Sequence, residues 1–279
     1  MTLVMNRYGK GRVRVMRLTR DTPRHEPREL TVEAIIEGDF GRAYTAADNS
    51  TSVSTDTTKN LINVVAHDNL DLPTELFCKA VTERFFRDYP QVEKCTVTAK
   101  ETKWTRLVID GKEHPHSFTL DSNGKPFAVV IATRAGLKTV SGIEGFTILK
   151  TTDSGWANFY QDPLTTILPA TDRMASTSLV ASWDWTRAPA DYPAANTKIL
   201  DAMVEVFATT YSNSMQDSLY RMGTAALEAV PEIATVSLAA PNKHYLPMNL
   251  AVFDRPFDGT LFLPTDEPHG QIECTVGRG

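Results

Sequence analysis

The chain has 279 residues, of which 42% are hydrophobic, 9% aromatic and 23% charged; its 34 acidic and 29 basic side chains give a formal charge of −5. Such proportions exclude disorder as the main state, and a chain this long buries about three quarters of its unfolded surface without a disulfide or metal staple. The acidic balance argues against nucleic acid as an obligate partner, and no apolar run approaches the ~20 residues of a membrane-spanning helix.

The first residues turn basic at Arg7 before any apolar stretch, and the chain ends in Val-Gly-Arg-Gly. With neither a signal peptide nor a peroxisomal Ser-Lys-Leu ending, a cytoplasmic location is expected. Alternation of polar and apolar residues over 12–20, and again through Leu30, Val32, Ala34 and Ile36, predicts two paired strands. Residues 54–60 supply capping side chains for a helix carrying Leu61, Ile62, Val64 and Val65. A second helix follows Pro73, and its pattern predicts burial of Leu76, Phe77, Ala80, Val81 and Phe85. Strands are predicted over 92–107, 117–120 and 127–133, with Asn123-Gly124 as a turn. The second half repeats the order: strands over 139–151 and 178–185, helices over 197–208 and 212–229, then strands over 233–239, 245–253 and 271–276.

The repeat lies in element order, not in residues, and predicts two similar α+β domains, 1–135 and 136–279. Each would be an antiparallel sheet with two helices on one face. The long sheet edges of such domains are commonly covered in closed oligomers.

Neither glycine-rich nucleotide fingerprint occurs, since Gly9-Lys10-Gly11 leads into a strand and not into a helix. Cys78, Cys95 and Cys274 form no C-x-x-C pair and read as small hydrophobes. His114-Pro115-His116 has the alternation of a metal-binding strand pair, but no further ligand stands at recognisable spacing, so it reads as polar residues beside a turn. The basic run Arg7, Lys10, Arg12, Arg14, Arg17, Arg20, Arg24 and Arg28 is either a solvated strand face or an anion-attracting surface.

Several blocks carry more: Tyr8-Gly9-Lys10, the stretch from Asp48-Asn49 to Lys59-Asn60, residues 146–173, Tyr220-Arg221-Met222-Gly223, Pro241-Asn242-Lys243-His244-Tyr245, and residues 264–270. The most specific is Leu149-Lys150-Thr151-Thr152-Asp153-Ser154, continued by Phe159, Thr165-Thr166 and Asp172-Arg173. Together and in this order they resemble the urate oxidase (uricase) family over nearly the whole chain. The resemblance implies the tunnelling fold (T-fold), with two tandem antiparallel-sheet-plus-two-helix domains per chain. It further implies a homotetramer stacked as a hollow barrel, with active sites shared between subunits. The activity it implies is oxidation of urate by O2 and water to 5-hydroxyisourate and hydrogen peroxide, with neither metal nor flavin, so no cofactor is expected.

Carried over residue by residue, the resemblance makes Lys10, Thr55 and His244 the proton-handling set. A lysine taken out of water gives up its proton more readily and can act as a base through a threonine hydroxyl. Asp56 would offer a backbone N–H to a purine nitrogen, and with Thr55 would reach the site from a neighbouring subunit. Arg173 and Gln216 would clasp the pyrimidine edge, a guanidinium and a carboxamide being able to bond carbonyl and N–H groups in one plane. Met215 would offer its backbone, and Asn242 would hold oxygen or water above the ring. Trp156, in Ser154-Gly155-Trp156, stands where the family usually has a stacking phenylalanine; indole also stacks on purines. Leu164, Leu246 and Asn249 are further departures from the family pattern.

Each residue also has a plainer reading. Lys10 is one more cation on a basic strand, Thr55 and Asp56 are helix caps worth about 1 kcal/mol, Gln216 is a polar residue at a helix start and Asn242 a turn residue. The alternative function is a catalytically inactive purine- or pterin-binding module of the same fold. A zinc-dependent pterin enzyme would need a three-histidine site that the sequence does not assemble.

Overall fold

Leu30, Val32, Ala34 and Ile36, at every second position, are fully buried. They form the inner face of β2 (Glu26–Gly38), which pairs antiparallel with β1 (Tyr8–Thr19). The computed structural model describes all residues from Met1 to Gly279, and by compactness the chain divides into Met1–Gly142 and Ile143–Gly279.

In the first unit β2 also pairs antiparallel with β3 (Val92–Ile109), and β3 with β5 (Lys125–Thr133). The far end of β3 pairs with β4 (Lys112–Asp121). A five-residue helix, α1 (Gly41–Thr45), precedes two longer ones, α2 (Thr55–Asn69) and α3 (Thr74–Asp88). On α2 the buried apolar residues are Leu61, Ile62, Val65 and Ala66, whereas Val64 points to solvent. On α3 they are Phe77, Cys78, Val81 and Phe85, and Leu76 and Ala80 are only half-buried. A 3.6-residue turn puts 77, 78, 81 and 85 on one stripe and leaves 76 and 80 on its flank.

Half of the basic run is neutralised locally. Arg14 bonds the carboxylate of buried Glu29, Arg24 lies 2.7 Å from Glu113, Arg17 3.7 Å from Asp71 and Arg28 3.8 Å from Glu101. Arg14, Arg17 and Arg24 are exposed, where such pairs contribute little to stability, and Arg7, Lys10, Arg12 and Arg20 take no ion-pair partner, so half of the run keeps its unpaired positive charge. His114 and His116 have ring centroids 4.5 Å apart, and no group of three or more His, Cys, Asp or Glu side chains is placed to hold a metal. All three cysteines are free, and burial pushes the Cys95 thiol up to about 12, which leaves it unreactive.

The second unit is built from β6 (Gly136–Lys150), β7 (Ala175–Trp185), β8 (Ile233–Pro247) and β9 (Phe262–Gly277), in that order across the sheet. The division of the chain falls inside β6, seven residues past position 135. Residues 133–136 form a tight turn in which Thr133 Oγ1 donates to Gly136 O at 3.3 Å, and Ser141 on β6 bonds Glu75 of α3, so the start of β6 stays with the first unit.

Helix α4 (Tyr192–Thr209) begins five residues before its predicted start, because Asp191 caps the amide of Ala194 and Pro193 suits the first helical turn. It packs on α5 (Met215–Ala229), and α5 packs on β8 and β9. The strand predicted over 245–253 does not exist as such. β8 continues unbroken to Pro247, and Ala251–Phe253 is a single 3-10 turn whose first amide is capped by Asn249 Oδ1 at 3.1 Å. No helix is long and apolar enough to cross a membrane.

Candidate active site

The first unit carries Lys10, Thr55 and Asp56, and the Tyr8-Gly9-Lys10 block shows how. Tyr8 turns inward, its ring edge-on to Phe40 with centroids 5.0 Å apart, and its hydroxyl accepts from Val53 N at 2.8 Å. Burial raises its pKa against the effect of that bond, so it stays a neutral phenol. Strand β1 is thereby tied to the loop leading into α2. Gly9 faces the Ala34 carbonyl so closely that a Cβ there would stand 1.8 Å from its oxygen, a distance no side chain tolerates. Lys10, two residues from Tyr8 and half-buried, lies just before a bulge in the β1–β2 pairing.

Ser54, not Thr55 or Asp56, caps α2: its Oγ accepts from Thr57 N at 2.9 Å. Thr55 and Asp56 are then the first two helical residues, whose amides have no partner in the helix. The Asp56 carboxyl is held below its usual range mainly by its hydrogen bond to Lys59, then by the charge of Lys59, with smaller help from Asn60 and from the charge of Lys10. Lys10 and the α2 N-terminus are therefore neighbours within one chain.

The second unit carries the other six residues. Trp156, Arg173, Met215, Gln216, Asn242 and His244 all line one cavity of about 350 Å³, a volume in the range of small-ligand sites. Met215 and Gln216 open α5, whose cap Ser214 accepts from Asp217 N at 3.1 Å, leaving the Met215 and Gln216 amides free at the cavity wall. That is the positive end of a helix dipole, suited to an anion or a carbonyl. Asp217 stays ionised: burial works to raise its pKa, but hydrogen bonds from Asn213 and the neighbouring Arg221 more than offset this.

Asn242 and His244 sit on β8 around a register shift against β9. Asn242 pairs with Gly270 and His244 with Thr265, so residues 266–269 bulge out opposite Lys243. The His244 pKa is lowered, first by burial and then by the nearby charges of Arg173 and His269, so its imidazole is neutral at pH 7. The Arg173 guanidinium, the Gln216 and Asn242 carboxamides and the His244 ring engage in no hydrogen bond or ion pair within the chain. They present unspent donors and acceptors to the cavity. Trp156 stacks on Phe159 with centroids 5.4 Å apart and planes 11° from parallel.

Sequence reasoning assigned no site role to Ile167, Gln271 and Ile272, which are among the other residues lining the cavity. Only the alternation of β9 gave any signal for the last two. Of the departures, Leu164 is exposed, Leu246 lines a neighbouring cavity and Asn249 serves the 3-10 turn.

Comparison with known proteins agrees with this fold. The family model described as Uricase matches residues 6–131 and 139–273. The chain is 34% identical over 278 residues to the uricase of Arthrobacter globiformis, covering 100% of this chain and 90% of that protein. It is 35% identical over 293 residues to the uricase of Emericella nidulans, with 99% and 97% covered. The crystal structure of the Arthrobacter globiformis uricase superposes with a TM-score of 0.94 at 34% identity, covering 100% of this chain and 95% of that one. The urate oxidase of Bacillus sp. TB-90, at 23% identity and a TM-score of 0.87 with 98% and 100% covered, shares the fold. A family model matched in both units, with relatives a third identical along the whole chain, means that the protein belongs to the uricase family.

Proposed function

We infer that the protein is an oxidoreductase that takes urate as its substrate, with O2 as electron acceptor: urate, O2 and water give 5-hydroxyisourate and hydrogen peroxide. The observation that carries this reading is the convergence of six residues from two elements, α5 and β8, and two loop stretches on one cavity, where a guanidinium, two carboxamides, an imidazole and a helix N-terminus are left without partners in the chain and an indole stands beside them. In this reading Arg173 and Gln216 hold the pyrimidine edge and the free amide of Met215 meets a ring carbonyl. Trp156 stacks on the purine, and Asn242 holds oxygen or water over its plane. Lys10 draws a proton through Thr55, and neutral His244 accepts or relays one. Urate supplies the two electrons that reduce O2 to peroxide, and water supplies the hydroxyl oxygen at C5, so the reaction balances with no further oxidant or reductant.

Purified protein in chelator-containing buffer is expected to consume urate with one equivalent of peroxide formed. Urate bound but not consumed would leave only the binding-module reading. Loss of activity to the chelator and its return with one particular metal would overturn cofactor independence.

The active unit in this reading is a homotetramer in which Thr55 and Asp56 of one chain complete the cavity of another. Because the charge of Lys10 reaches Asp56 within a single chain, Lys10 travels with them. Thr55→Ala and Arg173→Ala chains, unfolded and reassembled together and assayed at urate well below the KM of Arg173→Ala, should therefore recover a fraction of the activity that each lacks alone. A mixture of Thr55→Ala and Lys10→Met should recover none, since both lesions fall on the same contributed surface. Activity regained by the second mixture and not by the first would contradict this division of labour.

A further inference from the structure

Trp156, Arg173 and Gln216 stand on three separate stretches of the second unit, and the cavity works only if their spacing is kept. The middle stretch, 153–156, is bonded along both edges. On one side Gly155 N donates to Ser212 O at 2.8 Å and Ser212 N to Asp153 O at 2.9 Å. On the other, Arg173 N donates to Ser154 O at 2.7 Å, while Trp156 and Ala170 exchange bonds of 2.8 and 2.9 Å. No backbone hydrogen bond joins the two outer stretches, 170–173 and 211–216.

Tyr211 joins them. Its hydroxyl donates to Thr171 O at 2.7 Å, and the ring crosses the middle stretch directly over Gly155, where a Cβ would stand 2.3 Å from the phenolic oxygen. Gly155 is thus the residue that lets the phenol pass. Tyr211 does not line the cavity itself. The linker it belongs to is stiff, since Lys150 Nζ donates to Thr210 O at 2.7 Å, Asn213 Nδ2 to Asp217 at 2.9 Å, and the Ser212 and Ser218 hydroxyls bond each other. A shift at Tyr211 is carried into Gln216, and a shift at Thr171 into Arg173 two residues on.

We propose that Tyr211 is a positioning residue for the substrate, closing a ring of three stretches and so fixing the distance between the Arg173 guanidinium and the Gln216 carboxamide. This rests on the reading of those two residues as the groups that hold urate. Tyr211 is 42% exposed, so in Tyr211→Phe the Thr171 carbonyl turns to water and no buried acceptor is orphaned. The bond's contribution to stability is small, whereas its contribution to alignment is felt wherever both outer groups must meet one rigid ligand.

The test is a double-mutant cycle with Gln216→Ala, read in KM, kcat and melting temperature. Tyr211→Phe is expected to raise the KM for urate about 3- to 10-fold, the equivalent of one neutral hydrogen bond. It should leave kcat within about twofold and shift the melting temperature by no more than about 2 °C. In the Gln216→Ala background the same change should have almost no effect on KM, because there is no longer a second group to align. An unchanged KM for Tyr211→Phe, an equal rise in both backgrounds, or a collapse of the melting temperature would overturn the proposal and leave Tyr211 a structural residue. If Gln216→Ala alone leaves KM unchanged, the failure lies in the assignment of Gln216 to the substrate. Anaerobic titration with urate gives the same comparison as a dissociation constant, free of turnover.

Discussion

Replacing Lys10 by methionine is expected to lower kcat about 10²- to 10⁴-fold, the usual cost of losing a general base, with little change in KM. Methionine preserves the apolar stem of a half-buried side chain and removes only the ammonium, so the melting temperature should hold. The structure gives the reason for expecting so large an effect from a residue that sequence alone would place on a solvated strand. Tyr8 ties β1 to the loop before α2, Gly9 seats the strand against Ala34, and Lys10 is left beside the N-terminus of α2 with no ion-pair partner within hydrogen-bonding reach. Ser54 takes over capping and frees the Thr55 hydroxyl, which engages in no hydrogen bond within the chain. If the two groups form one relay, removing either breaks it, so Lys10→Met combined with Thr55→Ala should lose far less than the product of the single losses. Full activity in Lys10→Met, or strictly multiplicative losses, would return Lys10 to the strand face.

Arg173→Ala should raise the KM for urate about 10- to 100-fold, because a charged hydrogen-bond partner contributes about 1.5 to 3 kcal/mol. Its effect on kcat should be smaller, since the contact exists in ground and transition states alike. A second consequence follows from the neighbouring imidazole. Burial and then the Arg173 charge depress the His244 pKa below its ordinary value, so activity that needs neutral His244 is present at pH 7 and lost as pH falls through the depressed pKa. Removing the Arg173 charge relieves part of that depression. The acid limb of kcat/KM should therefore move to higher pH in Arg173→Ala, though not fully to the value of a free histidine, because burial remains. A collapse of kcat at constant KM would remove Arg173 from the clasp, and an unmoved acid limb would separate its charge from His244.

Local chemistry was legible where one element decides it. The alternation of Leu30, Val32, Ala34 and Ile36 gave β2, and the stripe of Phe77, Val81 and Phe85 gave α3. All nine strands and all four long helices overlap predicted segments, with ends displaced where a cap such as Asp191 starts a helix early. The strand predicted over 233–239 stands, but the separate one over 245–253 fails, because nothing in the alternation marks that β8 runs on through Pro241 to Pro247. The site residues came from the resemblance and not from periodicity, which reads Gln216 as a helix-start residue and Asn242 as a turn.

What the sequence alone determined, then, are the strands and the four long helices and, through the family resemblance, which residues are proposed to handle a purine anion: a helix N-terminus, a guanidinium, two carboxamides and an imidazole. Tertiary structure decided the rest. It gave the capping of α2 to Ser54, paired Arg14, Arg17 and Arg28 with acids elsewhere in the fold, and laced 153–156 between 170–173 and 211–212 so that six residues line one cavity. It also set Tyr211 across Gly155 onto the Thr171 carbonyl. The physical reason is range. Helix and strand periodicity express burial within a few residues, whereas these arrangements depend on strand register and on backbone hydrogen bonds between residues as far apart as Asp153 and Ser212, which no local pattern encodes.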